Sequence, residues 1–251
     1  MPDLIIARYN EDIDWLTQVP PDYTIFLYNK GRALAPSPAL ERVTHYVRLP
    51  NTGREGDTYL HHMLYNMGKA DSFSVFTQAN PFEHAPDFLA LLSERFSDPV
   101  WGYSCKWKDN FPPQHLLDRH RNALGTVIRN ELFSLYNWEP LFSHDLGAAL
   151  VAKNYSSDYD VPNGINIASN FFGHIGHNAL QEAAQAGMFG EFSYGGLFGV
   201  RNECIHQIDK AVFFNAIREI RTFEVVGYVM ERLWLHFFGK PFLKIDNISY
   251  P

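Results

Sequence analysis

The chain has 251 residues, 46% of them hydrophobic, which is enough apolar surface for a real core and marks a globular rather than a disordered protein. A formal charge of -7 excludes the general affinity for phosphate backbones that clustered Lys and Arg confer, and leaves only a local basic groove open for nucleic acid. Two cysteines, Cys105 and Cys204, are too few for a disulfide framework or a Cys-rich zinc site. With no signal-peptide pattern and no apolar run of the roughly 20 residues that span a bilayer, the expectation is a soluble cytoplasmic protein.

The first ~100 residues alternate strand and helix signals, which argues for an α/β layered fold. Leu4–Ala7 reads as a buried strand that runs into the polar cluster Arg8-Tyr9-Asn10-Glu11-Asp12. Glu11–Val19 reads as a short helix ended by Pro20-Pro21, followed by a strand Tyr23–Tyr28 and a turn at Asn29-Lys30-Gly31. A third strand is expected over His45–Leu49. Then comes the polar loop Asn51–Thr58, introducing a helix Tyr59–Asn66 with Asp57 or Thr58 as its N-cap. Phe73–Phe76 is a strand that stops in Thr77-Gln78-Ala79-Asn80-Pro81-Phe82, and Pro86–Leu92 begins another helix.

Farther on, Val100–Trp107 reads as a strand, Leu116–Ala123 and Val127–Tyr136 as helical, and Lys153–Asn163 as a loop. Phe192–Val200 suggests a strand interrupted by glycine, where a backbone or a ligand comes close. Cys204–Arg221 and Glu224–Phe238 read as two helices, the second with Val225, Tyr228, Val229 and Leu233 on its core stripe. Trp234–Phe238 reads as core, with contact to a membrane surface or a partner as the alternative. No internal repeat is visible, so one domain over 1–251 with an elaborated C-terminal half is expected.

In open α/β sheets ligands collect outside the carboxyl ends of the strands, which directs attention to the two polar clusters. Arg8 and Asn10 suit a nucleotide base or phosphate, whereas Glu11 and Asp12 suit capping of the next helix. Arg54 sits between Gly53 and Gly56; a phosphate-binding loop and a structural ion pair with Glu11 or Glu55 both fit. His61-His62 and the pair His174, His177 lack the spacing of zincin ligands, and no H-E-x-x-H occurs. Trp101, Tyr103, Trp107, Trp138 and Tyr155–Tyr159 offer faces for sugar rings or bases, against a default role in the core.

The stretches Ala7–Asp12, Tyr28–Gly31, Leu49–His62 and Val75–His84 together resemble a family built on a domain of unknown function, known mainly from fungi and bacteria. Its layout is similar to that of the GT-A glycosyltransferases, which implies a GT-A-like, Rossmann-like mixed sheet flanked by helices. Residues 1–100 would then form a nucleotide-sugar-binding half and 101–251 an acceptor half. The resemblance implies a nucleotide-sugar donor as co-substrate, bound by Arg8, Tyr9, Asn10, Lys30, Arg54, Gln78 and Asn80.

Gln78-Ala79-Asn80 stands where GT-A enzymes carry a metal-binding Asp-x-Asp, so dependence on a divalent metal is in doubt, and Arg8, Lys30 and Arg54 would carry the leaving diphosphate. Glu83 and His84 are the remaining residues for a metal site. On the acceptor side, Tyr194–Val200 resembles a glycine-containing acceptor segment, implicating Gly195 and Gly196. Tyr228–Trp234 resembles a later acidic helix, implicating Trp234 in acceptor binding and Glu231 as the base that deprotonates an acceptor hydroxyl. Asp145 and Asp209 are lesser candidates. The alternatives are a non-catalytic carbohydrate- or nucleotide-binding module on the same fold, and a glycosyltransferase acting on a nucleic-acid base.

Overall fold

The computed structural model describes residues 1–94, 96–104, 131–141 and 145–244. The expected mixed α/β architecture is present: a six-stranded sheet of order β3-β2-β1-β4-β8-β5, flanked by helices, beside a two-stranded sheet β6-β7. Strands β1 (Asp3–Arg8), β2 (Thr24–Asn29), β3 (His45–Arg48) and β4 (Phe73–Gln78) are mutually parallel. Strand β8 (Phe198–Arg201) comes from the far end of the chain and pairs antiparallel with both β4 and β5 (Val100–Gly102).

Successive residues of β1 face opposite sides of the sheet, as a period of two requires. Leu4 and Ile6 enter one core with Trp15, Phe88 and Tyr103, while Ile5 and Ala7 enter the other with Tyr59, Phe198 and Trp234. Both faces are covered, so β1 carries no polar alternation and reads as a continuous apolar run.

Two short helices, α1 (Pro38–Glu41) and α3 (Phe88–Leu91), pack on the first face. The second face carries α2 (Arg54–Tyr65), α8 (Lys210–Thr222) and α9 (Val225–Phe237), with α4 (Leu146–Asp158), α5 (Ile167–His174), α6 (Asn178–Gln185) and α7 (Asn202–His206) completing the described chain. No helix among the described residues is long and apolar enough to cross a membrane.

Several boundaries differ from the sequence reading for identifiable reasons. The segment after β1 is a 3-10 turn, Asp14–Gln18, tied to the end of β4 by the Trp15 indole donating to the Ala79 carbonyl (2.8 Å). Helix α2 starts at Arg54, not Tyr59; Gly53 is its N-cap, and Asp57, expected to cap, lies inside the first turn. Glu131–Ser134, expected to be helical, is strand β6, paired with β7 (Phe189–Phe192). The expected loop from Lys153 is helical through Asp158, because Asp145 caps α4 by accepting from Gly147 and Ala148 N–H and Tyr155 is buried.

Phe192–Val200 is two strands, β7 and β8, of different sheets, joined through a turn at Tyr194–Gly196. Cys204–Arg221 is two helices, separated where Asp209 caps α8. Tyr228, expected on the core stripe, is 36% exposed, whereas Trp234–Phe238 is core throughout. Leu116–Ala123, Cys105 and Trp107 lie outside the described residues.

Two buried histidines are held neutral. His236 accepts from Glu191 N–H at Nε2 (2.9 Å), and its Nδ1 lies 2.8 Å from the Lys240 carbonyl, which fixes the proton on Nδ1. Burial pushes its pKa down to about 4, and that of His62 to about 3. The unfolded chain binds these protons near pH 6.5 and the folded chain does not, so stability falls as pH drops from about 6.5 toward about 4. Imidazole NMR signals of both residues are expected to stay neutral down to pH 5 while the thermal midpoint declines; titration of either ring near pH 6.5 contradicts this.

Candidate functional site

From β1 the chain steps outward to β2 and β3, then returns to place β4 on the other side of β1, so the topological switch point lies between the carboxyl ends of β1 and β4. That crevice is where open α/β sheets bind ligands. Here it is a cavity of about 330 Å³ lined by Arg8, Tyr9, Lys30, Arg54 and Gln78 among others. Five of the seven residues expected on the donor side thus meet. Asn10 and Asn80 are exposed and do not line it; the Asn10 side chain accepts from Arg32 N–H (3.1 Å).

The three cations in this cavity have unequal roles. Arg8 is buried and donates to the carbonyls of Tyr9, Glu11 and Arg32 and to Asn29 Oδ1 (2.9 Å), holding the loops after β1 and β2 together. Gly31 is required in that seam, because a Cβ would fall 1.5 Å from the Tyr9 oxygen. The Lys30 side chain is only 4% exposed; its ammonium donates to the carbonyls of Thr52 and Arg54 and pairs with Asp57 (3.3 Å). Burial pushes its pKa down and the Asp57 carboxylate opposes that shift. Asp57, fully buried, also pairs with Arg221 (2.6 Å).

Arg54 differs from both. Gly53 and Arg54 adopt φ of 59° and 50°, a left-handed pair that lifts the chain into α2, and a non-glycine residue there is unusual. The Arg54 side chain is 40% exposed, its guanidinium 4.3 Å above the Tyr228 ring and its Nε 3.6 Å from Glu55.

On the far side of Tyr228 lies a larger cavity of about 690 Å³ between α4 and α9, lined among others by Asn154, Asp158, Tyr194, Glu224 and Glu231. Glu231 Oε1 accepts the Gly195 N–H (2.9 Å), and the Gly195 carbonyl accepts from Gln78 Nε2 (3.0 Å). Gly195 and Gly196 have φ of 67° and 62°, and a Cβ on Gly195 would meet His84 at 2.6 Å.

Trp234 is 1% exposed and stacks on Phe198 (5.4 Å), in the core rather than at either cavity. Asp145 pairs with the neighbouring Arg232 (2.7 Å) as well as capping α4, and Asp209 caps α8.

Glu55 was not singled out by sequence except as a partner for Arg54. It is buried, its Oε1 finds no hydrogen-bond partner among the described residues, and burial, followed by the charge of Glu231, raises its pKa to about 7. Two carboxylates, one with its pKa near neutrality, thus border the divide between the cavities. The signal that could have found Glu55 is its place in the first turn of a helix, directly after Gly53-Arg54, on a face that packs against the helix bearing Glu231.

Where the resemblance calls for metal carboxylates, Gln78 holds the Gly195 peptide and Asn80 is an exposed amide; neutral amides suit a divalent cation poorly. His84 stacks on Tyr194 (6.0 Å), and among the described residues no group of three or more His, Cys, Asp or Glu could hold a metal. No protein-family model, curated protein or solved structure matches the chain, so the family resemblance stands on the sequence motifs alone.

Replacing Asp57 by Asn leaves the Lys30 ammonium buried without its counter-charge, and a loss of about 3–5 kcal/mol is expected in urea unfolding; a loss below about 1 kcal/mol would show that Lys30 finds other compensation. For Glu55 the sign is opposite to that of an ordinary paired carboxylate. Its raised pKa means that stability is lost as pH rises from about 4.5 through about 7, by an amount on the order of 3 kcal/mol. Glu55→Gln should flatten that part of the pH–stability curve, and an unchanged curve would contradict the assignment.

Proposed function

We propose that this protein transfers a sugar from a nucleotide-sugar donor to a hydroxyl acceptor, with the donor at the β1/β4 switch point and the acceptor in the cavity between α4 and α9. The observation that carries the proposal is the placement of Glu231: it lines the larger cavity, one Arg54–Tyr228 contact away from the smaller one. Its Oε1 accepts the Gly195 N–H, which fixes the carboxylate at the cavity wall.

In this reaction Glu231 takes the proton of the acceptor hydroxyl while the hydroxyl oxygen attacks the anomeric carbon. The bond from that carbon to the phosphate oxygen breaks, and the departing diphosphate carries away the electron pair. Arg54 is the most exposed of the three expected cations, and it opens a helix whose N-terminal N–H groups favour anions. Arg8 and Lys30 act one step back, fixing the loops that present Arg54. Gln78 and the Gly195 turn connect the donor edge of the sheet to the base.

A non-catalytic binding module on the same fold is the second reading, favoured by the use of Gln78 for structure where the resemblance calls for a metal ligand. The two diverge in one pair of variants. Arg54→Ala is expected to weaken binding of a nucleoside diphosphate, read by calorimetry, about ten- to a hundredfold. Glu231→Gln is expected to leave that affinity intact and to reduce donor turnover about 10²- to 10⁴-fold. Nucleotide binding with no turnover across a panel of donors and acceptors would favour the binding module; no nucleotide binding at all would sink sugar transfer and leave only a carbohydrate-binding module.

A further inference from the structure

Resting on the transfer reading above, we propose that the cavity between α4 and α9 takes a saccharide ring that carries no acidic group, and that this sugar is the acceptor. The cavity volume of about 690 Å³ falls in the range of small-molecule sites. Its polar wall is dominated by groups that accept hydrogen bonds: the carboxylates of Asp158, Glu224 and Glu231, with the amide of Asn154. Ionised carboxylates only accept, so they select a ligand rich in donors, and a polyol is such a ligand.

Tyr228 supplies a flat apolar surface at the same wall. The residue is 36% exposed, and its ring lies against the Arg54 guanidinium at the border with the donor cavity. A sugar ring that packs against Tyr228 therefore sits beside both Glu231 and the donor.

Charge supplies the selectivity. Four carboxylates line the cavity, those of Asp145, Asp158, Glu224 and Glu231, against the one guanidinium of Arg232. Arg232 pairs with Asp145 (2.7 Å), so the excess is negative and repels phosphate, sulfate or carboxylate groups on a ligand.

Arg232 offers the cavity little positive charge: its side chain is only 7% exposed and its guanidinium lies 4.3 Å from the centre of the Phe192 ring.

The experiment uses the full chain at pH 7 and saturation-transfer NMR with four probes: methyl glucoside, glucosamine, glucuronic acid and a nucleoside diphosphate. Methyl glucoside or glucosamine is expected to bind about tenfold or more tightly than glucuronic acid, with the gap narrowing as salt is raised. Tyr228→Ala should abolish saccharide binding, and Asp158→Asn with Glu224→Gln should close most of the gap. Glucuronic acid binding as tightly as the neutral sugar, or no saccharide binding at tens of millimolar, overturns the inference. Saccharide binding that survives Tyr228→Ala unchanged also overturns it. The nucleotide arm separates the two ideas: nucleotide binding without saccharide binding defeats the acceptor assignment alone, whereas saccharide binding without nucleotide binding defeats sugar transfer and leaves a saccharide site.

Discussion

The Lys30 ammonium is surrounded by protein rather than water, and the carboxyl end of the sheet is organised around satisfying it. Two carbonyls of the Thr52–Arg54 segment and the Asp57 carboxylate are drawn onto one nitrogen at the end of β2. A buried charge tolerates no loose partner, so the loop has to pass directly over the strand end. That constraint forces the left-handed step at Gly53 and Arg54, and starts α2 a full turn earlier than its apolar periodicity suggests. Asp57 then extends the constraint to α8 through Arg221, so one ionic cluster positions a loop, a strand end and two helices.

With those elements fixed, the charges separate spatially. Cationic groups gather at the switch point, whereas carboxylates dominate the wall between α4 and α9. Arg54 and Tyr228 form the boundary, a guanidinium against an aromatic face, so each side presents a different electrostatic character across a single contact. Glu55 is the residue that records the crowding. Buried beside the negative side, it keeps a proton to much higher pH than a free carboxyl group.

Strands β1, β2 and β4 were legible because both faces of the sheet are covered there, and a strand buried on both sides has no pattern other than an apolar run ended by turn residues; β3 is an exposed edge strand. Helix α9 was legible from its periodicity. What escaped were elements decided by distant partners. Glu131–Ser134 is too short an apolar run to distinguish helix from strand until β7 pairs with it. Asn154–Asp158 has weak helix formers, overruled by burial of Tyr155 and its bond to Asn170 (2.7 Å). At the site, strand ends and Arg54 could be read locally. That Arg8 and Lys30 serve the scaffold could not, because their partners lie up to 27 residues away and follow no period.

The Gly195 peptide is gripped from both directions, its N–H by the Glu231 carboxylate on α9 and its carbonyl by the Gln78 amide at the tip of β4. The N–H and the carbonyl of one residue belong to two peptide planes that meet at its Cα, so the two bonds together hold the backbone angles of Gly195, whose φ of 67° is one that glycine adopts readily. One glycine thereby ties the tip of β4 to the middle of α9.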